Sequence, residues 1–199
     1  MATQINPIEL IKQDRAEARK LVDANADLCF LALADNSGRA SIRTLVLRSI
    51  NDNQLTIFIN KTSPKWKLFS DGADYELLLW YPSKQHQFRI RGTAAELATN
   101  VVADNWLRRP QGSKYLDYVY KEFAPQSSEL GSRETLIAEV QRLKKTYHVD
   151  EMQAPPEVAG MILHANHIEM LDLNREDRIH SRRLFRLKNG NWEITELVP

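Results

Sequence analysis

The sequence predicts an α+β fold: a mainly antiparallel β-barrel with helices at its periphery. Short apolar runs rich in Val, Ile, Leu, Phe and Tyr recur six or more times, several joined only by turn residues, which favours antiparallel neighbours. Helical spacing of apolar residues is confined to separate segments between and outside those runs. No internal repeat, low-complexity tract or linker interrupts residues 1–199, so one domain is expected.

The elements follow in order. "PIELIKQDRAEARKLVDA" (7–24) opens with Pro7 and sets Ile8, Ile11, Ala18, Leu21 and Val22 near one stripe, the pattern of an amphipathic helix. "LCFLALA" (28–34), "ASIRTLVLRSI" (40–50) and "QLTIFIN" (54–60) read as three strands joined by the turns "DNSGR" and "NDN". In "TSPKWKLFS", Ser63 takes an N-cap position and Pro64 the first helical position of a short helix. "YELLLWY" (75–81) and "QHQFRIRGTAAEL" (85–97) form a hairpin around "PSK". Residues 99–109 read as a second short helix and 110–131 as a Gly-, Pro- and Ser-punctuated connection. "SRETLIAEVQRLKKTYH" is a helix capped by Ser132, with Leu136, Ile137, Val140 and Leu143 at helical spacing. After "APPE" come strands near 158–172, 180–187 and 192–197, the last two joined by "KNGN".

Composition bounds the function. The formal net charge is +1, which gives no reason to expect nucleic acid, so any anion site must be local. The single Cys29 excludes an internal disulfide and fits a reducing compartment. "MATQINPIEL" lacks a charged leader followed by an apolar run, and no apolar stretch is long enough to span a bilayer. A cytoplasmic protein without membrane attachment is expected. No GxGxxG, Walker, GxSxG or CxxC pattern occurs. His164 and His167 fall on opposite faces of a predicted strand, so no metal site is expected.

Basic residues on strands carry the remaining signal. Read as a strand, "EDRIHSRRLF" (176–185) puts Arg178, His180 and Arg182 on one face, an arrangement tolerable in open water or beneath an anion. In "QHQFRIRG", Gln85, Gln87, Arg89 and Arg91 share one face and Phe88 and Ile90 the other. Arg43 and Arg48, five apart, face opposite sides of a regular strand. Lys65 at a helix start, and Arg109 with Gly112 and Ser113 in "RRPQGS", suit a phosphate as readily as a capped helix and a surface turn. Read alone, these residues describe a β-rich domain with anion-binding capacity.

Taken in order, the segments resemble the pyridoxamine 5'-phosphate oxidase family, FMN-binding split barrels that work as homodimers. The family's R-x-V-L-L-K, F-Y-T-N and S-R-K are matched by "RTLVLR" (43–48), "IFIN" (57–60) and "SPK" (63–65). Its ERQV is matched by "QHQF", and its RPxGS and QSS are intact at 109–113 and 126–128. Its RLHDR becomes "RIHSR" (178–182), followed by the closing "WEITELVP". The resemblance implies a single FMN-binding split-barrel domain and a homodimer with FMN at the interface. It implies FMN contacts at Arg43, Thr44, Leu45, Val46, Leu47, Arg48, Phe58, Ile59, Lys65, Gln87, Gln126, Ser127 and Arg182. It further implies a small phosphorylated substrate at Arg48, Arg109, Ser113, Arg178 and His180, with Arg178 and His180 as the catalytic pair. The implied activity is oxidation of a phosphorylated amine or alcohol to the aldehyde, with oxygen as acceptor. The alternatives are an NAD(P)H-dependent flavin reductase on the same fold and a non-catalytic FMN-binding protein. Four positions depart from the family: Arg48 replaces a lysine, Pro64 an arginine, Asn105 a tyrosine, and Leu171 the tryptophan beside the flavin.

Overall fold

The β-rich runs pair as antiparallel neighbours and close on themselves. The structure, a computed structural model, describes residues 5–199; Met1–Gln4, where the stretch read for a leader begins, lie outside the described residues. The elements are α1 (Pro7–Lys20), β1 (Leu28–Ala34), β2 (Ala40–Asn51), β3 (Gln54–Asn60), α2 (Pro64–Ser70), β4 (Tyr75–Tyr81), β5 (His86–Glu96), α3 (Thr99–Leu107), α4 (Gln111–Glu122), α5 (Arg133–Thr146), β6 (Val158–Asp172), β7 (Ser181–Lys188) and β8 (Asn191–Leu197). The strand order is β3-β2-β1-β4-β5-β6-β7-β8, and an additional β3–β6 pairing closes six strands into a barrel. Among those six strands closure removes the open edges that would otherwise pair with other chains.

The chain divides into two compact units. One comprises the segment ending at Ile57, Gly72–Ala95 and Ile162–Pro199; the other comprises Phe58–Asp71 and Glu96–Met161. In the first, the two-residue strand period sends Leu31 and Leu33 of β1, Leu77 and Leu79 of β4, and Phe88 and Ile90 of β5 to the interior. α1 seats Ile8, Ile11 and Ala18 against this core. Buried Arg15 ties α1 down: it donates to the Ala26 carbonyl at 3.2 Å, to Asp27 at 2.7 Å and to the Leu47 carbonyl. Cys29 is fully buried, and burial pushes its thiol up to about 12, so it is a packing residue.

α1 ends at Lys20, earlier than the stripe to residue 24 suggests. Val22 adopts φ 55°, and the Val22 and Asp23 amides bond back to the Arg19 and Ala18 carbonyls, a Schellman stop built without glycine. Leu21 and Val22 are therefore left exposed.

His86, at the start of β5, reaches Asp14 of α1 at 2.6 Å through Nδ1 and Asp172 at 3.5 Å through Nε2. The Asp14 hydrogen bond raises the His86 pKa above its usual 6.5, against the opposing effect of burial. A raised folded-state pKa contributes stability that is complete below the unfolded value and is lost as pH rises through the folded one. Urea melts should show stability falling from pH 5.5 to above the His86 titration, and Asp14→Asn should flatten that slope. An unchanged slope in Asp14→Asn would remove the assignment.

The second unit corrects the reading of 110–131 as a connection, because α4 lies within it. Pro110 serves as the N-cap residue and Gly112 and Ser113 stand in the first turn, so residues that punctuate loops here begin a helix. Tyr115, Tyr118 and Val119 pack with Val102, Trp106, Leu143, Met152 and Val158 into one cluster. α3 stops at Leu107 rather than at 109.

Candidate functional site

β7 starts at Ser181, so Arg178 and His180 are not strand residues, and the expected shared face of Arg178, His180 and Arg182 does not form. Arg178 has φ 64° and its carbonyl accepts the His180 amide at 3.1 Å, so the chain turns sharply between them. Arg178 is exposed, while His180 is half-buried and its Nδ1 accepts the Asn174 amide at 3.1 Å. That bond puts the proton of a neutral ring on Nε2. Gln85 likewise leaves the β5 face: it sits at φ 57° in the turn and holds Arg175 at 2.6 Å.

Arg182 remains on β7, and the first unit shows what makes its charge tolerable. Arg182 meets Glu169 at 3.0 Å, Glu169 meets Arg89 at 3.2 Å, Arg89 meets Glu76 at 2.5 Å, and Glu76 meets Arg91 at 2.9 Å. Three guanidiniums alternate with two carboxylates across β7, β6, β5 and β4, leaving one positive charge. Burial pushes Glu76 up, but Arg89 and Arg91 outweigh it and hold the carboxyl below its ordinary value. Beside this ladder, Gln87, Arg89 and Glu76 rim a shallow hollow floored by Phe30, Ile42 and Leu78. An apolar floor with amide and guanidinium edges suits a flat heteroaromatic ring.

On β2, Arg43, Leu45 and Leu47 alternate with the more exposed Thr44 and Val46, Leu47 being buried. The β2–β3 register shifts between Leu47 and Ser49, so Arg48 stands at a bulge and the strand is not regular from Arg43 to Arg48.

The second unit gathers Phe58, Ile59, Lys65, Arg109, Ser113, Gln126 and Ser127 of the expected set. Lys65, 5% exposed, donates to Gln126 at 3.0 Å. The Gln126 amide donates to Thr62 Oγ1 at 2.9 Å, and Thr62 Oγ1 donates to Asn60 Oδ1 at 2.7 Å. Ser63 does not cap α2 with its side chain; its hydroxyl donates to the Asn60 carbonyl at 2.6 Å. Asn60 is 3% exposed, and its Nδ2 has no hydrogen-bond partner. A buried ammonium held by a loop amide is the kind of group that an anion can bind. These residues fit the phosphate of a mononucleotide. Ser127 has φ 72° in the same loop, which fixes the backbone after Gln126.

Arg109 precedes α4 and pairs at 2.8 Å with Asp117, whose side chain is 3% exposed. Asp117 also accepts the Trp106 indole N–H at 2.8 Å. Burial raises the Asp117 pKa, opposed by the Arg109 guanidinium and the indole N–H. Ser113, in the first turn of α4, is half-buried.

Asn60, Thr62, Glu169 and Asp117 escaped the sequence reading. Asn60 and Thr62 lie in a run of turn-forming residues after a strand. Glu169 is an acid set between Ile168 and Met170 of β6, a signal that was legible. Asp117 was hidden because its helix read as a loop. Among the described residues no cluster of His, Cys, Asp and Glu could hold a metal, and no helix is long and apolar enough to cross a membrane.

The family model described as "Pyridoxamine 5'-phosphate oxidase, FMN-binding domain" matches residues 9–98. The chain is 27% identical over 194 residues to a pyridoxine/pyridoxamine 5'-phosphate oxidase of Leptospira biflexa, covering 98% of this chain and 89% of that one. It is 29% identical over 170 residues to a namesake from Acinetobacter baumannii, covering 85% and 76%. Among solved structures, PhzG from Burkholderia lata, in complex with tetrahydrophenazine-1-carboxylic acid, aligns with TM-score 0.86 at 26% identity, covering 98% of this chain and 93% of that one. An FMN-binding protein of Nostoc punctiforme shares the fold with TM-score 0.77 at 18% identity, covering 99% of this chain and 100% of that one.

Proposed function

The chain belongs to the pyridoxamine 5'-phosphate oxidase family, and from that premise we propose an FMN-dependent oxidase of a small anionic substrate, acting as a cytoplasmic homodimer with FMN at the interface. The observation that carries this reading is the buried, hydrogen-bonded group of Lys65, Gln126, Thr62 and Asn60, which sets an ammonium where it could meet a phosphate. When bound, FMN would supply a two-electron acceptor for hydride from the substrate carbon, with oxygen as the final oxidant.

The chain's own residues bind and orient. Lys65 would neutralise the FMN phosphate, with Gln126 and Ser127 contributing to its binding. Gln87 and Arg182 would offer hydrogen bonds to the flavin, and Phe58, Ile59 and the β2 residues Arg43, Thr44, Leu45, Val46, Leu47 and Arg48 would also contact it. Arg109 and Ser113 would hold the substrate's negative group, and Arg48 and Arg178 would contact the substrate elsewhere. His180, whose Nε2 carries the neutral ring's proton, orients the substrate or moves a proton from its reacting nitrogen or oxygen. For an amine, the products are the aldehyde, ammonia and hydrogen peroxide from amine, water and oxygen. Exposed Ile42 and Val46 on β2 support a covered face, and hence a dimer.

Two substrate classes follow from the relatives: the phosphorylated pyridine amine or alcohol of the oxidases, and a partly reduced ring carboxylic acid such as PhzG holds. The test is to purify the protein, identify its flavin, and mix it anaerobically with pyridoxamine 5'-phosphate, pyridoxine 5'-phosphate, tetrahydrophenazine-1-carboxylic acid and NADPH. Bleaching of bound FMN by one of the first three is expected. Bleaching by NADPH alone would instead assign a flavin reductase, and a colourless protein that takes up no FMN would sink the proposal.

A further inference from the structure

Arg109 is the one substrate-side arginine whose charge is already answered from inside the protein. Asp117 lies 2.8 Å from its guanidinium, with the carboxylate 3% and the arginine 23% exposed, so the open side of the pair is the guanidinium. Asp117 cannot swing away: the indole N–H of Trp106, itself 1% exposed, donates to it at 2.8 Å. Withdrawing Arg109 to serve a ligand alone would strand a buried carboxylate. The guanidinium has five donors, so it can keep Asp117 and still donate outward. What it cannot offer is an unopposed positive charge.

Lys114, one turn into α4, is the other cation of this cluster. It is 9% exposed, and its ammonium stands 5.0 Å over the Trp106 ring. Arg109, Asp117 and Lys114 together carry one net positive charge. The attraction between a ligand and that charge grows linearly with the ligand's charge, whereas the cost of stripping its water grows with the square. Halving the available positive charge therefore penalises a phosphate dianion far more than a carboxylate.

We infer that the substrate held at Arg109 bears a carboxylate rather than a phosphate, and that Asp117 determines this preference by acting through Arg109. The inference rests on the proposed function, in which Arg109 is a substrate-side residue, and it chooses between the two substrate classes. The tetrahydrophenazine carboxylic acid held by PhzG is of the chosen class. Asp117 is a positioning residue for specificity and does not touch the reacting atoms.

The experiment titrates the FMN-loaded, full-length protein with pyridoxal 5'-phosphate and, separately, phenazine-1-carboxylic acid, reading the perturbation of the flavin spectrum. The carboxylate should bind at least about tenfold more tightly than the phosphate. Asp117→Asn keeps an acceptor for Trp106 but removes the charge. It should tighten pyridoxal 5'-phosphate about tenfold or more while moving the carboxylate by less than about threefold, a change in ratio that general loosening of the fold would not produce. Tighter binding of the phosphate by the unaltered protein overturns the inference. So does no response to the carboxylate, or an equal shift for both ligands in Asp117→Asn. If that variant does not fold, the preference of the unaltered protein decides alone. Bleaching of FMN by pyridoxamine 5'-phosphate but not by the tetrahydrophenazine acid would sink the inference and leave the oxidase reading intact; failure to take up FMN would sink the oxidase reading itself.

Discussion

Gly92→Ala should cost about 3 kcal/mol or more and lower Tm by roughly 6–12 °C, the largest effect expected of a single methyl group in this protein. A Cβ built on Gly92 would stand 1.7 Å from the His164 carbonyl oxygen and 2.8 Å from its carbonyl carbon. Both obstacles are backbone, so no rotamer change relieves them. Gly92 lies on β5 and His164 on β6, neighbours in the closed sheet. Relief would require the two strands to separate where the barrel depends on them. Tyr75 reaches the same carbonyl at 3.4 Å, so the position has nowhere to relax. The measurement is a thermal melt followed by circular dichroism. A variant melting within about 2 °C of the original would show that the approach of β5 and β6 is looser than described.

Lys65→Met should weaken FMN binding by roughly 30- to 100-fold while leaving riboflavin binding almost unaltered. The side chain is 5% exposed and bonded to Gln126, so methionine preserves most of the volume while removing the charge and the donor to Gln126. Riboflavin has no phosphate and serves as the internal control. Quenching of flavin fluorescence on binding gives both dissociation constants. Equal losses for the two flavins would mean that Lys65 supports the loop rather than the phosphate. No loss for either would move the phosphate elsewhere.

Much of the β architecture was legible because its signals are local. The alternation in "LCFLALA" and "YELLLWY" follows from a strand burying every second side chain, and it marked β1 and β4 to the residue. The turns "NDN" and "KNGN" carry their own backbone preferences, so the hairpins they close were also readable. α4 was missed for the converse reason. Pro110, Gly112 and Ser113 favour loops when counted by propensity, and only the burial of Tyr115, Tyr118 and Val119 against α3 and α5 makes that stretch a helix. The end of α1 was overrun because Leu21 and Val22 continue the apolar stripe, and no glycine marks the stop.

The charges divide in the same way. That strands would carry Arg89, Arg91 and Arg182 could be read from the chain, and so could the family that its ordered motifs resemble. Their partners could not. Glu169 and Glu76 reach these arginines only when β4, β5, β6 and β7 are laid side by side. Sequence by itself determined which residues are apolar, where turns are cheap and which positions can be charged, because those properties belong to each residue and its near neighbours. Tertiary structure alone decided that Arg109 meets Asp117, that Lys65 meets Gln126, and that β5 passes so near β6 that only glycine fits. Coulomb forces, hydrogen bonds and steric exclusion act over a few ångströms of space, and the separation of residues along the chain does not encode that distance.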